Sequence, residues 1–204
     1  MTPILTSARR ESGEDRKAAI AAAARALIAE KGLEGLRTRD IAARVGINIA
    51  TLHYHVPTKE ALVALVAESL RDDFRNQSQS RPRAGKSGLE QLRMEFDDFR
   101  ETVEDMPGLI IVLTDLVERG RRDPTIGRIV APLHSVWRGQ FAEIFRLGGE
   151  DGSFRADIDP EAAAVLATGA LADYWRFETD SQASLDRVFA EIERAFVKTS
   201  IFEG

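Results

Sequence analysis

The stretch from Val45 to Leu62, VGINIATLHYHVPTKEAL, places two histidines and a tyrosine in consecutive positions and follows them with Pro-Thr-Lys. Such residues can ligate a metal, exchange protons, or lie against a polyanion. Metal ligation by His53 and His55 fails on geometry. Residues two apart on a helix point roughly 200° apart, and helical zinc pairs use i, i+4 spacing. Acid/base work finds no nucleophile beside a base and a carboxylate that would orient it, and no glycine-rich phosphate loop. The 204 residues include no cysteine and only three histidines, which removes thiolate nucleophiles, disulfide scaffolds and cysteine-rich zinc sites. What remains is a set of rings beside a cation, suited to something long and negatively charged.

Helices must position these rings, because nearly every segment repeats its apolar residues with the 3.6 period and strand signals are scarce. Ile20, Ala24, Leu27 and Ile28 stripe a first helix that stops at Gly32. Thr38 reads as the N-cap of a short second helix burying Ile41, Ala42 and Val45 and ending at Gly46. Asn48 caps a third, about Ile49 to His55, anchored inward by Leu52. Pro57-Thr58 ends it and caps a fourth helix that carries Leu62, Leu65, Val66 and Leu70. The turn from Gly46 to Asn48 is too short for anything but a steep crossing, the geometry of a helix-turn-helix. Its second helix fits a major groove about 12 Å wide. Short helix pairs with a glycine turn also serve as plain packing units, so the turn alone leaves both readings open. Charge adds a second indication. Residues 1–60 hold 10 basic and 7 acidic side chains, net +3, and residues 61–204 hold 18 and 26, net −8. A basic head on an acidic body suits a phosphate backbone.

The run IAAAARALIAEKGLEGLRTRDIAARVGINIATLHYHVPTKEALVALV, Ile20 to Val66, resembles the N-terminal domain of the tetracycline-repressor family of bacterial transcription regulators. The points of likeness are a small-residue helix ending Glu-Lys-Gly, then Thr-x-x-Asp-Ile-Ala, a Gly-Val/Ile turn, Thr-Leu, an aromatic-rich helix end and Pro-Thr-Lys-Glu-Ala-Leu. The resemblance implies that Thr38, Tyr54, His55 and Lys59 contact DNA phosphates, with Arg39 beside them, while Asn48, Ile49, Ala50, Thr51 and His53 face the groove. Physical chemistry supports this: Thr38 and Lys59 stand at helix starts, where free N–H groups and the positive dipole end favour phosphate. Asn48 is suited to adenine, and Ile49 or the Thr51 methyl to a thymine methyl. The chain departs from the family where Ile49 replaces a common Lys or other polar residue, His53 a Tyr, and Val56 a Phe. Ile49 should reduce nonspecific phosphate attraction.

Beyond the fourth helix, NQSQSRPRAGKSG, Asn76 to Gly88, reads as a polar connection. Ser87 and Glu90 form a capping box for a helix bearing Leu92, Phe96, Phe99 and Val103. GLIIVLTDLVERG is apolar almost all round, which predicts a central helix ended by Gly120. Asp123-Pro124 starts another that runs toward Gly148 and should kink or split at Pro132. Of the last two helices, one offers small Ala163, Ala167, Gly169 and Ala170 beside Leu166, Leu171, Tyr174 and Trp175. The other is striped by Leu185, Val188, Phe189, Ile192 and Phe196. Two such helices from each subunit suit an isologous four-helix dimer contact, which the resemblance also implies, or else simply fill the core. A ligand region is expected among the central helices. Phe96, Phe99, Leu109, Leu113, Leu116, Trp137, Phe141 and Trp175 would form its apolar walls, with Thr114 and His134 as sparse polar groups.

The expectation is therefore an all-α chain with an N-terminal helix-turn-helix three-helix DNA-binding domain over 1–60, a connecting helix over about 58–75, and a C-terminal helical ligand-binding and dimerisation domain over 76–204. It would act as a ligand-responsive transcription regulator, most often a repressor in this family. Its partners would be double-stranded operator DNA, a small, largely apolar effector and a second copy of itself. No cofactor is implied. Two other classes compete. One is an interaction module that keeps the helix-turn-helix without reading DNA; the other is an enzyme using the C-terminal cavity, for which no convergent set appears around Asp115, Asp173 and His134. No apolar run approaches a membrane span, and the start MTPILTSARRESG is too weakly apolar for a targeting segment, so a cytoplasmic location is expected.

Overall fold

A computed structural model of the protein describes residues 12–177 and 182–198. Met1 to Glu11, the greater part of the start considered above for targeting, lie outside the described residues. The chain forms α1 (Gly13–Gly35), α2 (Thr38–Val45), α3 (Ile49–His55), α4 (Lys59–Ser80), α5 (Gly88–Asp105), α6 (Pro107–Arg122), α7 (Pro124–Asp151), α8 (Pro160–Phe177) and α9 (Gln182–Phe196). The fold is all-α, and the one extended pairing among the described residues is an isolated bridge between Phe154 and Val197. None of the described helices is long and apolar enough to cross a membrane.

The helix starts follow their capping residues. Ser12 and Asp15 make a reciprocal capping box on α1, and Ser87 and Glu90 make another on α5. Asn48 and Thr58 accept from the third backbone N–H of α3 and α4. Gly32, at φ +72°, breaks α1 and leaves a single further turn to Gly35.

Several boundaries differ from those expected. Arg37, not Thr38, precedes α2, and no side chain caps that helix. The polar residues after Asn76 do not end α4, which runs to Ser80. Gln77 faces inward there, its Nε2 donating to the Asp98 carbonyl and the Thr102 hydroxyl at 3.0 and 3.2 Å. Gly120 does not stop α6 either; it lets α6 approach α7, since a Cβ there would lie 3.1 Å from Gly127 Cα. Pro132 neither ends nor divides α7, and both Pro132 and Arg128 four residues before it are exposed. Finally, α6 is less enclosed than its composition suggests, burying Leu109, Val112 and Leu116 but leaving Ile111 half exposed.

Two apolar clusters hold the chain together. The first joins α1 to α4 through Ile20, Leu27, Ile41, Leu52, Val63 and Leu70, and includes Leu109, Val112 and Leu116 of α6 and Ile126 and Val130 of α7. The second unites α5, α7, α8 and α9 around Phe96, Phe141, Phe145, Phe154, Leu171 and Phe189. Leu185, Phe189, Ile192 and Phe196, considered above for a subunit contact, are buried in this second cluster within one chain. Where α4 ends, Arg81 and Arg83 turn back onto α5. Arg83 pairs with Glu95 and Asp98, and Arg81 with Asp98 and Glu101.

Candidate nucleic-acid interface

The helix-turn-helix is built by α2 and α3. Gly46 takes the left-handed conformation, φ +74°, that turns the chain out of α2, and its N–H caps the Ala42 and Ala43 carbonyls. Leu52 and Val56 point inward, fully and nearly buried, and fix the rotation of α3 against the head. The opposite face then carries Asn48, Ile49, Ala50, His53 and Tyr54, all exposed, with Ile49 at 49% and Tyr54 at 83%. Ile49 and Tyr54 are among the large apolar side chains left exposed in the described residues. The spacing i, i+1, i+4, i+5 brings the expected groove-facing residues together on one side, with Thr51 partly shielded at its edge.

The residues expected at phosphates lie at two helix starts and at the end of α3. Thr38 is the first residue of α2; no side-chain cap occupies its hydroxyl, and it lies exposed beside the free N–H groups of the helix start. Arg39 is exposed, with only a loose pair to Asp40 at 3.6 Å. Lys59 opens α4, exposed and without an ion pair among the described residues. Tyr54 and His55 meet edge to face at 5.2 Å, and His55 is half buried. Asn48 spends its Oδ1 on the Thr51 N–H, 2.7 Å away. That leaves the amide NH2 to face outward, a donor for a base acceptor and not the two-point adenine contact suggested by residue type alone.

Other charges of the head pair internally. Arg44 forks onto Glu30 at 2.8 and 3.0 Å, and this hydrogen bond holds the Glu30 carboxyl below its ordinary value. Lys31 does the same to Asp40. Lys59, without an ion pair among the described residues, thus differs from Arg44 and Lys31, whose charges are paired within the head.

The residues expected around a ligand do not form one group. Leu109, Leu113 and Leu116 belong to the first apolar cluster, whereas Phe96, Phe99, Trp137, Phe141 and Trp175 belong to the second. The rings of the second set touch one another: Phe99 stacks on Trp137 at 6.4 Å, and Trp137 meets Phe141 edge-on at 5.6 Å. Thr114 donates to the Ile110 carbonyl within α6. His134 lies edge-on to Trp137, and burial together with the Arg138 charge holds it below the ordinary imidazole value.

One polar group near these rings escaped the sequence reading. Glu95 is 5% exposed, touching Arg83 and the Gln140 amide, and burial raises its carboxyl above the ordinary range while Arg83 opposes that rise. A signal existed. Glu95 lies between Leu92 and Phe96/Phe99 in the i, i+3, i+4, i+7 series that faces the core.

Comparison with known proteins agrees with this geometry. Residues 20–66 match the family described as bacterial regulatory proteins, tetR family. The chain is 26% identical over 140 residues to the transcriptional repressor KstR2 of Rhodococcus jostii, covering 67% of each chain. It is 40% identical over 82 residues to the class D tetracycline repressor of Escherichia coli, covering 40% of this chain and 36% of that one. In fold it is similar to the ketosteroid transcriptional regulator KstR2 of Mycobacterium tuberculosis, with a TM-score of 0.68, 22% identity, and coverage of 93% and 97% of the two chains.

Proposed function

Because the chain belongs to the tetR family of bacterial regulatory proteins and is a DNA-binding transcription regulator, we propose that it represses transcription as a homodimer on a palindromic operator and is released by a small, largely apolar effector. In this reading residues 1–60 read DNA, and 76–204 bind the effector and the second subunit, with α4 between them. The observation that carries the proposal is the outward face of α3. Asn48, Ile49, Ala50 and His53 stand exposed together, and Thr38, Arg39, Tyr54 and Lys59 are exposed as well, with His55 half buried. One such helix spans only a half-site, so specificity needs a second copy one helical turn away.

The dimer surface is the outer face of α8. The α9 stripe is consumed by the chain's own core, but Val165 and Leu166 are 48% and 65% exposed beside Gly169 and Ala170, whose small side chains permit close helix approach. The named ketosteroid regulator among the similar structures supports an apolar effector class. Phe99, Trp137 and Phe141 offer matching rings, with Glu95 and Gln140 as polar neighbours.

Repeated selection of bound duplexes from a random pool tests the reading. Enrichment of a two-fold symmetric sequence whose binding weakens steeply with salt is expected. Failure to enrich any sequence would leave the helix-turn-helix as an interaction module.

A further inference from the structure

Asp115 lies on α6, outside the reading head, yet its carboxylate reaches into the head. Gly32 turns the end of α1 with φ +72° and ψ 163°, and the Leu33 N–H donates to Asp115 Oδ2 at 2.5 Å. A Cβ at Gly32 would stand 3.4 Å from the same oxygen, so the glycine both makes the turn and keeps the approach open. One turn along α6, Arg119 pairs with Glu34 at 2.6 Å. Leu33 itself is buried, 1% exposed, in the cluster that contains Leu109, Val112 and Leu116 of α6. Arg37 then clamps the Glu34 and Leu36 carbonyls, and Thr38 begins α2. Four residues thus separate Leu33 from the start of α2, and the turn they make is held by the Leu36 N–H on the Leu33 carbonyl, by Arg119 on Glu34 and by Arg37 on two carbonyls.

We propose that Asp115 is a positioning residue for DNA binding: by capping the Leu33 amide it fixes the α1–α2 turn, and with it the phosphate-facing start of α2, to α6. This rests on the reading of Thr38 as a phosphate contact, and it adds a second route from the effector region to the head beside α4. The same helix packs against α5 and α7, which carry the Phe99, Trp137 and Phe141 rings assigned to the effector. A shift of α6 therefore moves the Thr38 helix start directly, without passing through α4.

The sign of the effect separates this role from general electrostatics. Removing an acidic side chain beside the head should by charge alone strengthen DNA binding. Loss of the tether predicts the opposite. The full-length protein is titrated onto the duplex that the wild type enriches from a random pool. Asp115→Ala should bind about tenfold more weakly, with an unchanged dependence on salt because no cation is lost. Asp115→Asn, which keeps a carbonyl acceptor for Leu33 N–H, should fall between the two, and it stands as the test alone if the alanine variant does not fold. Amide exchange at Leu33 in the wild type should slow severalfold when that duplex saturates the protein. Equal or tighter binding by Asp115→Asn, or Leu33 exchange indifferent to DNA, would overturn the proposal. A wild type that enriches no duplex would instead remove the DNA-binding reading itself.

Discussion

Lys59→Ala isolates the phosphate component of binding. Lys59 opens α4, is exposed, and has no ion pair among the described residues, while the helix start stays capped by the Thr58 hydroxyl on Ala61 N–H at 3.1 Å. The substitution should therefore change folding stability by no more than about 0.5 kcal/mol. On DNA it removes one cation per subunit. Each phosphate contact contributes about 0.9 to the slope of log affinity against log salt, so a dimer should lose about 1.8. Between 50 and 200 mM salt, that difference makes the wild type lose about twelvefold more affinity than the variant. Fluorescence anisotropy on the enriched duplex at several salt concentrations reads this directly. Tyr54→Phe serves as the comparison: it removes a hydroxyl but no charge, so affinity should fall at an unaltered slope. An unaltered slope for Lys59→Ala, or a changed base preference in its place, would refute the assignment of Lys59 to the backbone.

Gly148→Ala would put a methyl group into the Phe154 ring, where α7 also crosses the start of α5 at Gly88, and should cost about 3 kcal/mol in denaturant unfolding. Leu166→Asp should yield folded monomers by light scattering, whereas Phe189→Asp, 7% exposed and stacked on Phe96 at 4.3 Å, should unfold the chain. A folded monomer from the second and not the first would move the dimer surface to α9. Glu95→Gln reports the buried carboxyl through pH. Burial raises its folded value above the ordinary 4.5, so the stability associated with its neutral form is present below that value and lost as pH rises through the raised one. The glutamine variant should gain on the wild type as pH rises above the ordinary carboxylate range, and a difference independent of pH would contradict the burial of an ionised Glu95.

The head was legible because its signals are local. Asn48, Thr58 and Gly46 act on N–H and carbonyl groups within four residues, and Leu52 sets the rotation of α3 by periodicity alone. Errors arose where a distant partner decides. Gln77 keeps α4 helical past a polar stretch because Asp98 and Thr102 lie opposite, and Gly120 serves α7, not a helix end. The α9 stripe has the same periodicity whether it meets a second subunit or, as here, Phe96 and Phe145 of its own chain. Asp115 drew notice only as a possible catalytic acid, since nothing in its neighbourhood in sequence foretells a hydrogen bond to Leu33, 82 residues away.

A hydroxyl-radical and base-methylation footprint of the full-length protein on its enriched duplex tests the central claim most directly. The account predicts two symmetric windows, with major-groove bases shielded at centres about 34–36 Å apart or a multiple of that, and loss of the base pattern but not the backbone pattern when His53 and Ile49 are both replaced by alanine. A single continuous window, protection confined to the minor groove, or a pattern unaffected by those substitutions would mean that α3 does not read DNA.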